Sequence, residues 1–115
     1  MIRKATDAQV DVHENMRGGM GSAEVTHFAE KSEMLDKNRL FARIVLKTGC
    51  SIGYHVHEND MEVYHIVSGV GTYDDNGKAA ELFPGDTSIT PEGHGHGIVN
   101  NGDEDLVIIA LIVLK

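Results

Sequence analysis

Two histidines stand two residues apart, at His55 and His57, and a carboxylate, Glu62, follows in the same stretch of chain. In a strand that spacing turns both imidazoles to one face, side by side. Glu58-Asn59-Asp60 between them reads as a polar turn, so the next strand can double back and bring Glu62 against the two rings. Two imidazoles and a carboxylate aimed at one point outline a metal site that needs one more donor from elsewhere in the chain. His96 is the candidate.

These residues sit in two longer patterns. The first is Gly49, five residues, His55-x-His57, four residues, Glu62, six residues, Gly69. The second is Gly85, five residues, Pro91-x-Gly93, two residues, His96, three residues, Asn100. Fifteen residues separate Gly69 from Gly85. With every signature position filled, the sequence resembles the cupin superfamily, in particular its small single-domain bacterial members. The motifs cover residues 49 to 100, and the flanking strands extend the match to about residues 38 to 115. The resemblance implies an all-β fold, a small antiparallel β-barrel or jelly roll (a double-stranded β-helix). It also implies one divalent transition metal held by His55, His57, Glu62 and His96. Imidazoles with a carboxylate suit Mn, Fe, Ni, Co, Cu or Zn, and affinity alone does not choose among them. Four protein ligands leave one or two positions open on an octahedral ion, where it can polarise a carbonyl or carboxylate, activate water or bind dioxygen. Without an ion, the same polar groups inside a small apolar barrel would be poorly compensated.

A shared fold does not name a reaction. In oxalate-decarboxylating cupins an arginine stands three residues after the first motif's glycine, and here Ile52 holds that place, which weakens that reading. Arg43, on the preceding strand, would meet an anionic substrate if its side chain faces inward. The sugar-nucleotide epimerase branch relies on a general-base histidine, and the complete quartet points away from it.

From Arg39 onward the chain reads as short strands parted by glycine or Asx turns. They are Leu40 to Lys47, Ser51 to His57, Met61 to Val67, Val70 to Tyr73, Lys78 to Phe83, Thr87 to Thr90, His96 to Asn100 and Leu106 to Leu114. Asp74-Asp75-Asn76-Gly77 is a hairpin signal. Residues 1 to 37 are expected to form an N-terminal arm on the chain's own barrel or a neighbour's, with residues 38 to 115 as the barrel. Little in residues 1 to 24 forces regular structure: Thr6 to Gln9 offers one capped helical turn, and Arg17 to Gly21 is a glycine-rich loop. Val25 to Phe28 is β-prone, and Ala29 to Asn38 is a surface turn or short helix.

If odd-numbered residues of the second strand point inward, Ser51, Gly53, His55 and His57 line the barrel while Tyr54 and Val56 face out. In the third strand an inward Glu62 brings Tyr64 and Ile66 with it and turns His65 away. Tyr64 is thus a candidate to face the substrate. His94, two residues before His96, is a candidate proton carrier at the rim or a solvated side chain. Tyr64, His94 and Arg43 are therefore the candidate catalytic residues. His13 and His27 match no ligand spacing, and Cys50 reads as a small packing residue.

Eighteen acids against ten bases give a formal charge of -8, which disfavours nucleic acid as a partner. A lone cysteine excludes an internal disulfide, and no signal or membrane-spanning stretch is visible, so a cytoplasmic setting is expected. Leu106 to Leu114, LVIIALIVL, is apolar on both strand faces and needs cover on both, from which a homodimer is expected. The leading functional expectation is a metal-dependent enzyme on a small polar or carboxylate compound, of dioxygenase, lyase or isomerase type. The alternatives are a non-catalytic module that binds or senses a small ligand, and a barrel in which the metal is only a structural staple.

Overall fold

The computed structural model describes residues 1–115. Ten strands build two facing antiparallel sheets, in the jelly-roll arrangement expected of short strands with alternating cores. They are β1 (Val10–Glu14), β2 (Ser22–His27), β3 (Asn38–Leu46), β4 (Ser51–Val56), β5 (Asp60–Ser68), β6 (Gly71–Asp75), β7 (Lys78–Leu82), β8 (Thr87–Thr90), β9 (Gly95–Val99) and β10 (Leu106–Leu114). One sheet runs β1-β2-β3-β10-β5-β8 and the other β4-β9-β6-β7.

Period-two alternation decides what enters the space between the sheets. Leu106, Ile108 and Ala110 of β10 are fully buried and meet Ala42, Ile44 and Leu46 of β3, with Ile66 and Tyr64 of β5. Ile52, Tyr73 and Ile98 close the core from the opposite sheet. Asn76 and Gly77 both take positive φ, 52° and 92°, the geometry a two-residue turn between β6 and β7 requires.

The N-terminal segment is more regular than its composition suggested. Residues 10–14 and 22–27 are strands, and β2 pairs with β3 through Ala23↔Leu46 to His27↔Ala42, so they widen the barrel's own sheet. Ala23 and Val25 alternate inward with Glu24 outward, a strand signal that flanking glycines and charges concealed. The first turn, Ala5–Asp7, is a 3-10 turn that begins after Lys4 with no side-chain cap, and Gln9 hydrogen-bonds Asp11 instead of reaching back.

The inward parity expected of β4 also needs correction. Ser51 pairs with Val99 and Ile52 with Ile98, but His55 then pairs with His96, so β4 carries one more residue than its partner over this interval. This bulge flips the alternation at Gly53-Tyr54. Ile52 is buried and His55 faces in, while Tyr54 and Val56 are exposed as expected.

On the outer face of the six-stranded sheet, apolar side chains line up across strands in register: Ile89 on β8, Val63 on β5, Leu111 on β10 and Phe41 on β3. Val107, Ile109, Leu111 and Val113 are only half-buried, so one chain does not cover this second face of β10.

Candidate metal centre

His55 lies near the end of β4 and His57 one residue beyond it, Glu62 on β5, and His96 on β9 opposite His55. Donors therefore come from both sheets and meet between them. Their ligand atoms all lie within 4.8 Å of one another. Glu62 Oε1 is 3.0 Å from His57 Nε2, 3.0 Å from His96 Nε2 and 3.9 Å from His55 Nε2, and the Nε2 atoms of His57 and His96 are 3.1 Å apart. Two donors ~2.1 Å from one ion and at right angles are ~3 Å apart, so the spacing is that of a coordination sphere. His57, Glu62 and His96 are buried, and His55 and Glu62 are the members of the quartet that line the neighbouring cavity.

The far sides of the rings fix which nitrogen faces the centre. His55 Nδ1 is 2.8 Å from the Gly53 carbonyl and His57 Nδ1 is 2.8 Å from Asp60 Oδ1, both pure acceptors, so each Nδ1 carries the proton. In the neutral rings both Nε2 atoms are then lone pairs aimed at a carboxylate. A cluster of acceptors facing one another calls for a cation, and the residues fit a divalent metal on that ground. His96 Nδ1 meets the Tyr73 hydroxyl at 2.8 Å and Thr90 Oγ1 at 3.0 Å, and Ser88 donates to Tyr73 at 2.8 Å. Asp60 is in turn gripped by Arg39, whose Nε and Nη2 lie 2.9 and 2.8 Å from Oδ2.

Titration follows this wiring. Burial pushes the Glu62 carboxyl up, yet its hydrogen bonds to the three imidazoles outweigh that and hold it far below the ordinary carboxylate range. His57 is raised, chiefly by its hydrogen bond to Glu62 and also by Asp60, whereas burial lowers His96.

A cavity of about 190 Å³ opens beside the quartet, walled by His13, Arg17, Arg39, His55, Glu62 and Tyr64 among apolar side chains. Tyr64 is placed here as its parity suggested: its ring stacks on His96 with centroids 4.6 Å apart. Burial drives its phenol well above the ordinary value, Glu62 adds to the rise, and the nearby Arg17 charge opposes it. Tyr64 thus keeps its proton at neutral pH. His94 is exposed on the turn before β9, where its backbone carbonyl accepts the His57 N–H at 3.0 Å. Arg43 is exposed on the outer face, beside a hollow it shares with Arg3, Lys4 and His27, away from the quartet. His65 is exposed, hydrogen-bonded to Thr87, and His27 pairs with Asp11. His13 stands at the cavity wall.

Sequence reasoning missed Asp60, Arg39, Tyr73 and Thr90. Asp60 was hidden in what reads as a polar turn. The spacing of three from His57 was its one signal, whereas Tyr73 and Arg39 become visible only through strand pairing.

The Cupin_2 family model, described as Cupin domain, matches residues 42–112, and the chain belongs to the cupin family. A Thermotoga maritima relative named Oxalate-binding protein is 40% identical over 114 residues, 99% of this chain and 94% of that protein. The solved structure of a predicted oxalate decarboxylase from Thermotoga maritima superposes with a TM-score of 0.95 at 40% identity, covering 100% of both chains. A Silicibacter pomeroyi structure described as a sugar phosphate isomerase from a cupin superfamily superposes at 0.78 with 16% identity, over 100% of this chain and 76% of that one, which is a likeness of fold.

Proposed function

We propose that the chain is a metal-dependent cupin that takes a small carboxylate of oxalate's size into the cavity beside the quartet and transforms it, most simply by lyase chemistry. The observation that carries this is the cluster of His55, His57, Glu62 and His96, opening through His55 and Glu62 onto a cavity with two arginines in its wall. The 40% identity with a protein named Oxalate-binding protein supports the same ligand class. A divalent ion bound there would polarise a coordinated carboxylate. Around it, Asp60 and the Gly53 carbonyl hold two imidazoles in the donating tautomer, and Tyr64 offers a phenolic proton as a hydrogen bond to a bound oxygen. Ile44, Ile52 and Ile112 keep the cavity wall dry enough to strengthen those contacts.

A second reading, capture of the carboxylate without turnover, is favoured by one feature: Glu62, itself a proposed ligand, is the one carboxylate lining the cavity. Metal analysis of protein prepared without added metal or chelator, with the His55→Ala/His57→Ala double variant alongside, tests the centre. About one equivalent in the wild type and none in the variant supports it; none in either, even after metal is added back, sinks it. Carbon-13 NMR of labelled oxalate then separates the two readings, since turnover converts hydrogen oxalate to formate and carbon dioxide, whereas capture leaves the label unchanged.

Two further assignments belong to this reading. The chain works as a homodimer through the apolar row Ile89, Val63, Leu111 and Phe41, which a second copy covers about a twofold axis. A cytoplasmic setting accords with the free Cys50.

A further inference from the structure

We propose that Arg17 is the residue that selects for a second carboxylate on the ligand, pairing with the end of a small dicarboxylate that does not face the quartet. The inference rests on the carboxylate reading above and deepens it.

Arg17 lies in the loop between β1 and β2, where the backbone turns through a 3-10 turn at Met16–Gly18. It lines the same cavity as His55, Glu62 and Tyr64. Two guanidinium groups reach that cavity, and they are not equivalent. Arg39 is committed to Asp60 through both Nε and Nη2. Arg17 has no side-chain hydrogen bond and no ion pair, although the chain carries eighteen acids against ten bases. Arg17 is exposed, and at the wall of a cavity of about 190 Å³ its guanidinium is a donor fork free to take an anion that enters beside the quartet. A liquid water occupies about 30 Å³, so the space suits a ligand of roughly six non-hydrogen atoms.

The loop is built to hold that position. Arg17 itself takes φ 54° and ψ 32°, a left-handed conformation that is unfavourable for a non-glycine residue and persists only when its surroundings enforce it. The enforcement is visible at two glycines. A Cβ on Gly53 would collide with the Arg17 carbonyl, and one on Gly19 would collide with the Ser51 carbonyl, so this loop and β4 approach backbone to backbone. Met20 N–H bonds Ser51 Oγ at 2.8 Å, and Ser51 N–H bonds the Met20 carbonyl at 2.8 Å, locking the same contact. Gly53 also supplies the carbonyl that orients His55, so one bulge residue seats both a metal ligand and the loop bearing Arg17.

Calorimetry on the full chain loaded with Mn²⁺, with acetate, oxalate and malonate as probes, tests this in wild type, Arg17→Gln, Arg17→Lys and Gly19→Ala. Selection by Arg17 predicts that Arg17→Gln lowers oxalate and malonate affinity about ten- to a hundredfold while acetate affinity and manganese content stay within about twofold, with Arg17→Lys recovering part of the loss. Gly19→Ala keeps the charge but presses on Ser51 and Gly53 of β4, so it should lower dicarboxylate affinity at least as far as Arg17→Gln and, through the Gly53 carbonyl that orients His55, lower manganese content as well. An unchanged ratio of dicarboxylate to acetate affinity in Arg17→Gln overturns the inference and leaves the carboxylate reading standing. Absence of binding to all three probes by manganese-loaded wild type overturns both, and that outcome is read in the wild-type arm alone.

Discussion

The proton on each imidazole Nδ1 is fixed by what it touches, and Asp60 fixes the one at His57. Replacing Asp60 by Asn keeps the shape but lets the amide present either a donor or an acceptor and leaves Arg39 without its carboxylate. Metal affinity of Asp60→Asn, measured by competition with a chromogenic chelator, should fall about ten- to a hundredfold, with circular dichroism unchanged. The raised His57 value sets the pH dependence. Metal binding must displace the proton that Glu62 and Asp60 stabilise there, so affinity should be level above that raised value and fall about tenfold per pH unit below it. In the metal-free chain the sign is opposite: His57's proton adds stability that is fully present below its ordinary value of 6.5 and is lost as pH rises through the raised one. Chelator titrations and urea melts across the same pH series check the two slopes together.

At the scale of the strands, burial in β10 has the clearest energetic consequence. Ile108 is fully buried between β3 and β5, and Ile108→Ala should cost about 2–5 kcal/mol in urea unfolding, since neighbours paired on both sides cannot collapse into the space. Strand existence was readable from period two and from turn chemistry: Thr87–Thr90 and Leu106–Leu114 have the bounds the sequence suggested, and the other barrel strands differ by a residue or two. What was not readable is the count of residues per ladder. In Ser51-Ile52-Gly53-Tyr54 only the glycine hints at a bulge, and it does not fix the count, because the bulge is defined by β9 across the ladder. His55, His57 and Glu62 were legible because their spacing is local to two neighbouring strands, and His96 through the second motif, whereas Tyr73 and Arg17 reach the site only through the fold. β1 and the first half of β2 escaped notice, although Val25 to Phe28 read as β-prone, for a related reason: a short strand is stabilised by its partner, and here β2 pairs with β3 and β1 with β2.

Taken whole, the molecule has one face it does not cover. The row from Ile89 to Phe41 crosses four strands with no charge in it, while Arg43, His65 and Lys47 flank it on the outer surface. Sedimentation equilibrium should give twice the chain mass, and Leu111→Glu, which places a charge in the middle of the row, should give the single-chain mass with strand content retained. The order of strands in this sheet also bears on how the chain comes into being. β10 is the last of the ten to be synthesised, yet it lies between β3 and β5, which have no other way to join. Until Leu106 to Leu114 emerges, the six-stranded sheet exists only as two half-sheets with bare edges, and Glu62 on β5 is not held opposite His55 and His57. The barrel therefore closes in one late step, in which the final strand inserts as a keystone, and a growing chain that stalls before it is the form most exposed to aggregation and to capture by chaperones.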